Sequence, residues 1–337
     1  MKTKAFILTI LILAATLWAD VSKTGTTAGK FLNIGVGPRT VAMGGAFAFS
    51  MDDPGSVYWN PAGIGRISRP MGLFSQTNWI ADVNLNFITM AMPLGDAGVF
   101  SASVTAVTMP DMLETTEYQP EGTGNTFNAG MYAIGLTYAR PLTENFVIGA
   151  TLKYVRENIA TSSAQGLALD IGTVFTTPFS GIRFATSITN FGTKMRINGD
   201  DLLFQNTPNP EQSGTVDRLN SNYETDAFDM PLRLQLGVSR DFEISEGQNL
   251  VLAVDAGLPS DNTQYMNIGA EWSFLNNMVF LRGGFKTLFM RDREEGLTLG
   301  AAVRYNSVGY MSFAIDYAFQ SFQFLGDVHT FGIKVGF

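Results

Sequence analysis

Side chains able to do chemistry are few in this sequence, and their spacing restricts them further. The 337 residues contain no cysteine and a single histidine, His329. Thiol catalysis, disulfides and cysteine-ligated zinc or iron–sulfur sites are excluded, and no His-rich metal cluster can form. A Ser-His-Asp arrangement would have to be built around His329 alone, which stands at a strand–loop junction where an interfacial role outweighs a catalytic one. Asp52-Asp53 offers two carboxylates to a cation, but directly before Pro54 the pair reads as a turn. Gly35-Val36-Gly37 is a fragment of a phosphate-binding loop without the strand–helix context, so it too reads as a tight turn. In Asn60-Pro61-Ala62-Gly63 the dipeptide Asn-Pro turns the chain, Gly63 permits a left-handed backbone, and an anchoring role outweighs ligand contact. No nucleophile meets a base, so we expect neither an enzyme nor a metal or cofactor.

The elements that must position these residues follow from composition and pattern. There are 22 basic and 30 acidic residues, a formal charge of −8, which argues against a nucleic-acid partner. Glycine at 35 residues and phenylalanine at 26, with 45% hydrophobic and 15% charged residues, suit turns and aromatic-rich strands, hence an all-β protein. Lys2 and Lys4 precede an apolar run from Ala5 to Leu17, and Ala19 ends it. This reads as a signal peptide over 1–19 that is removed on export, taking the charge to −10. No later apolar run reaches the roughly 20 residues of a spanning helix, so any membrane crossing must be made by a barrel.

Residues 20–68 are glycine-rich and irregular, and such backbone must pack against something. Residues 69–337 repeat one unit, an alternating stretch followed by a turn of Gly, Pro, Asn or Asp. About fourteen stretches are expected: 70–81, 84–93, 98–108, 126–140, 145–158, 165–177, 181–191, 229–242, 248–258, 264–274, 277–289, 296–306, 308–320 and 328–337. Connections alternate between tight, as at Leu94 to Ala97, and long, as at Met109 to Asn125 and Gly192 to Phe228, the habit of a membrane-threading meander. Charges keep to one parity. Lys153, Asp170, Arg183, Arg233, Asp255, Glu271, Arg282, Lys286, Arg304, Asp316 and Lys334 all lie on the face opposite the apolar row, and are expected in a wet lumen, paired with one another or with Asp52 and Asp53. The remaining inward positions are read as mainly small, apart from Phe280 and Leu288. Aromatic residues near row ends, among them Tyr132, Tyr138, Tyr154, Trp272 and Tyr305, suggest girdles, and the last strand ends on Phe337. The expected fold is a transmembrane antiparallel up-and-down β-barrel of about fourteen strands, 69–337, with a Gly-rich N-terminal plug, 20–68, inside the lumen.

The run from Thr27 through Lys30-Phe31-Leu32-Asn33 to Pro38-Arg39, then Ala42-Met43-Gly44-Gly45, Asp52-Asp53 and Tyr58-Trp59-Asn60-Pro61-Ala62-Gly63, resembles the start of PorV/PorQ-family proteins, which are in turn similar to FadL-type channels. The resemblance implies a Gram-negative outer-membrane barrel with an N-terminal hatch. It further implies a non-enzymatic accessory or shuttle role in protein export of the type IX kind, with secreted cargo or secretion subunits as partners. The alternative it carries is a FadL-like channel for a long-chain hydrophobic ligand. Met109, Met112 and Leu113 in one outer loop and Leu202, Leu203 and Phe204 in the other are greasy for exposed loops. They are expected either to fold on each other as a lid or to form a patch for ligand or partner.

Overall fold

The computed structural model describes residues 24–179, 181–207, 219–290, 293–306 and 311–337. The leader expected over 1–19 lies outside the described residues. Fourteen long strands follow one another along the described chain: β1 Met71–Asn78, β2 Asn84–Pro93, β3 Val99–Thr108, β4 Ala129–Pro141, β5 Phe146–Ile159, β6 Ser162–Thr176 and β7 Arg183–Gly192. They continue with β8 Arg233–Ser245, β9 Gln248–Pro259, β10 Tyr265–Phe274, β11 Val279–Leu288, β12 Glu295–Asn306, β13 Ser312–Phe322 and β14 Gly326–Gly336. Each pairs antiparallel with its successor, and β1 pairs with β14 from Met71↔Gly336 to Asn78↔His329. The sheet is therefore a closed fourteen-strand barrel without an edge, which removes the aggregation hazard of unpaired strand groups.

Alternation along the strands decides which face is dry. Phe74, Ile88, Met90, Phe100, Ile134, Leu136, Leu152, Leu167, Leu169, Ile171, Leu236, Val254, Leu281 and Ile333 are all exposed on the outside and form a continuous apolar belt. Only a solvent of hydrocarbon makes such a surface stable. Tyr132 and Tyr154, with ring centroids 6.2 Å apart, stand near the long-loop end of the belt. Trp272 and Phe274, 5.0 Å apart, stand at the short-turn end. Among the described residues no helix is long and apolar enough to cross a membrane.

The register shifts at four places in the described wall, and two of them bear on the lumen. Between β6 and β7 the register shifts so that Asp170 alone faces Thr189 and Asn190, with Asn190 at φ 63°. Between β10 and β11 Asn267 faces both Lys286 and Thr287, with Thr287 at φ 54°. The second bulge corrects one expectation. The inserted residue flips the parity, so Leu288 pairs with Met266 on the outward face and does not line the lumen.

Residues 30–67 run through the interior as short turns and one short helix, α1, Pro38–Ala42. Phe31, Leu32, Val36, Val41, Phe47, Val57, Trp59, Ile64 and Ile67 are buried there. They form one cluster with inward Leu73, Leu85, Phe87, Val99, Val107, Val147, Val155 and Val174 of the wall. Inward positions are small or charged for the most part, but large apolar side chains stand there at more places than Phe280 alone. Where the interior segment covers the wall, no water reaches those positions, and large apolar side chains become the stable choice, each contributing about 1.5–3 kcal/mol when fully buried.

Candidate functional site

The interior segment spans the lumen from one end to the other. At the long-loop end Ala28 N–H donates to Asp229 O at 3.0 Å, Gly29 N–H to Glu157 Oε1 at 3.0 Å, and Thr27 Oγ1 to Asp261 Oδ2 at 2.6 Å. Lys30 forms an ion pair with the same Asp261. At the short-turn end Arg66 donates to Glu144 O, Arg69 to Ser312 Oγ at 2.8 Å, and the chain enters β1.

Between these ends the segment is held in three ways. The first is capping that makes the local turns. Asp53 Oδ1 accepts from Gly55 N–H at 2.9 Å and Asn60 Oδ1 from Ala62 N–H at 3.0 Å, each at the start of a Pro-led turn. Asp52 takes the left-handed backbone, φ 58°, and donates to Gly63 O at 2.9 Å. The pair Asp52-Asp53 is a turn, and among the described residues no group of three metal-ligating side chains comes together.

The second is close approach of backbone to wall. A Cβ on Gly149 would lie 2.5 Å from the Pro61 carbonyl carbon, and one on Gly172 would overlap the Asn60 side chain. Asn60 Nδ2 uses that proximity to donate to Thr173 O at 3.1 Å and Thr186 O at 3.4 Å, bridging β6 and β7. On the far wall, Gly269 and Gly284 leave room for Met43 and Gly44.

The third is charge. Arg39, from α1, donates to both Glu271 oxygens at 2.9 and 2.6 Å. Arg282 donates to Glu271 Oε2 and to Asp316 Oδ1, both at 2.6 Å. Arg39 also lies 3.6 Å from Asp53, which Lys334 pairs from β14. Three cations and three carboxylates thus alternate in one buried network, satisfying the demand that charge taken out of water be paired and hydrogen-bonded. Burial works to raise the Asp53 carboxyl, and Lys334 and Arg39 overcome it, holding it well below the usual carboxylate range. Asp255 accepts from Phe47 N–H, and Ser239 Oγ donates to Ala48 O at 3.0 Å.

The other lumen charges lie outside that network. Lys153 pairs with Asp170 at 2.7 Å and donates to Asn190 Oδ1 at 2.6 Å, while Asn190 N–H returns to Asp170 at 2.7 Å, so the bulge of β7 is closed by its own polar cluster. Lys286 pairs with Glu295 at 2.7 Å, Arg183 with Asp241 at the rim, and Arg233 lies 5.6 Å from the Trp59 ring. Arg304 lies 4.8 Å from the Phe280 ring. Sequence reasoning missed Arg39, the residue that ties segment to wall; it stood within the quoted run, but nothing local marks a partner 232 residues away.

Each outer loop carries a ladder of its own in the described residues. Met112 and Leu113 pair with Phe127 and Thr126 in their own ladder, and Leu203–Asn206 pairs with Leu219–Asn222 in another. Phe204 stacks on Tyr223 at 4.4 Å, Met109 packs against the lumen cluster, Leu202 is half-buried, and Leu113 and Leu203 stay exposed. His329 faces outward, its Nδ1 2.8 Å from Tyr317 Oη.

No protein-family model and no curated protein matches this chain. Solved structures match its fold. A FadL homologue of Pseudomonas aeruginosa aligns with TM-score 0.53 at 11% identity over 90% of this chain and 98% of that one. The CymD monoaromatic hydrocarbon channel gives 0.54 at 13% identity, over 90% and 97%. The Ralstonia pickettii toluene transporter TbuX gives 0.54 at 12% identity, with the same coverage. The barrel is thus of the FadL type in fold.

Proposed function

We propose that this chain is a non-enzymatic outer-membrane channel through which a hydrophobic small molecule passes without chemical change. The observation that carries the reading is the pairing of a closed fourteen-strand barrel with an interior segment whose apolar side chains meet apolar side chains of the wall. A hydrophobic molecule moving along that seam exchanges like for like, whereas a polar one would lose its hydration. The fold shared with channels named for hydrocarbons and toluene supports the same reading. In it, residues 1–19 are the export leader, 20–68 a plug that must shift for passage, and 69–337 the barrel in lipid. The greasy loop residues Met109, Met112, Leu113, Leu202, Leu203 and Phe204 receive the molecule.

Native mass spectrometry of the protein extracted gently from its own outer membrane tests this. Adducts of small-molecule mass, lost when Leu203 and Phe204 are both changed to Ser, are expected. Co-purification of exported proteins or secretion subunits, with no such adduct, would overturn it in favour of the export role that the PorV/PorQ resemblance implies.

A further inference from the structure

The charged side of the lumen ends in a cavity of about 240 Å³ at the short-turn end, where the interior segment passes into β1. Its lining holds five cationic side chains, Arg39, Arg66, Arg69, Arg304 and Lys334, against two carboxylates, Asp52 and Asp53. Asp53 is taken by Lys334 and Arg39. Arg66 donates to a backbone carbonyl, a neutral acceptor, and Arg304 rests over Phe280. Among the described residues no carboxylate lies within ion-pair distance of Arg66 or Arg304. A concave site with surplus positive charge and low-dielectric walls concentrates anions. Buried Ile67 and Ala314, with half-buried Met71, give the same cavity an apolar floor.

Inorganic ions have no use for such a floor, and neutral hydrocarbons have none for the cations. Size narrows the class further. An apolar cavity of roughly 150 Å³ accepts benzene, so the space here suits one ring together with a charged head. We propose that this cavity binds a small organic carboxylate, a single carboxyl group on an apolar body of about one ring, with Arg304 and Arg66 receiving the carboxylate. The planar guanidinium fork matches two carboxylate oxygens at once. The site is independent of the channel reading, since it requires only that the cavity be reached from the short-turn end, where Asp52, Arg66 and Ser68 are exposed.

Isothermal calorimetry on the full-length protein in detergent tests it, with benzoate as probe and inorganic phosphate and toluene as comparison ligands. Benzoate is expected to bind one per chain, more tightly than either comparison ligand, and less tightly as salt rises. Arg304→Gln is expected to weaken it at least about tenfold, the loss of one charged hydrogen-bonding group. Arg66→Gln, at an exposed position, is expected to weaken it less. No benzoate binding, benzoate binding unchanged in both variants, or phosphate or toluene binding as tightly would each overturn the proposal. Calorimetry needs no passage through the barrel, so failure here and failure of the channel reading are separate results.

Discussion

The inner wall of β1 to β4 and that of β9 to β14 solve the same problem in opposite ways. The first presents Leu73, Leu85, Phe87, Val99 and Val107 with hydroxyls between them, and the hydroxyls pair across strands, as in Thr89 with Ser101 at 3.0 Å. The second presents Asp255, Glu271, Arg282, Asp316 and Lys334, paired with one another or with the segment. Both faces meet one 38-residue stretch, 30–67, whose Tyr58 sits edge-on to Phe87 at 6.0 Å while its Arg39 reaches Glu271. Apolar contact is non-directional and lets one surface slide on another, whereas a buried ion network has one good geometry and is costly to break. The comparison teaches that the segment is registered on its charged side and only packed on its apolar side.

The largest effect that would break this comparison is steric. Gly284→Val puts a side chain on the Met43-Gly44 backbone, which cannot yield, so the segment should leave the charged wall; limited proteolysis should then cut within 30–67. Gly283→Val, one residue along, meets nothing nearer than Leu299 at 3.8 Å and should stay resistant. Equal cleavage of the two would show that the charged wall does not hold the segment. Next comes Glu271→Ala, which leaves Arg39 and Arg282 buried without their shared carboxylate and should cost about 3–5 kcal/mol in denaturant unfolding from micelles.

Phe87→Ala on the apolar wall should cost about 3 kcal/mol, yet leave the proteolysis pattern of 30–67 unchanged, because no registering contact is lost. The smallest effect is in pH. The Asp53 carboxyl is held below its ordinary value, so its contribution is fully present above about pH 4, the ordinary carboxylate range, and is lost as pH falls through the lower folded value. Asp53→Asn should therefore be less stable than the parent at neutral pH, with the two converging in acid. Parallel stability curves would assign the pairing of Asp53 with Lys334 no part in registration.

Strand number and the greasy outer belt were legible because alternation with a period of two survives wherever lipid lies on one side and water or charge on the other. The apolar inner wall was not. In Leu85-Asn86-Phe87-Ile88-Thr89-Met90-Ala91 both faces carry large apolar residues, so nothing in the pattern says that the inner one is dry. The bulges at Asn190 and Thr287 were equally hidden, since each is a matter of which residue on the neighbouring strand it faces.

What the sequence determined by itself is local and periodic: a chain of amphipathic strands and tight turns, and an irregular glycine-rich segment that must be covered. Only the tertiary structure decided that Arg39 meets Glu271, that Asn60 bridges two strands, and that Arg66 and Arg304 line one cavity. The reason is physical. Periodicity reports the solvent on each face of a strand, but pairing across more than a hundred residues is set by barrel closure and by where one backbone can approach another.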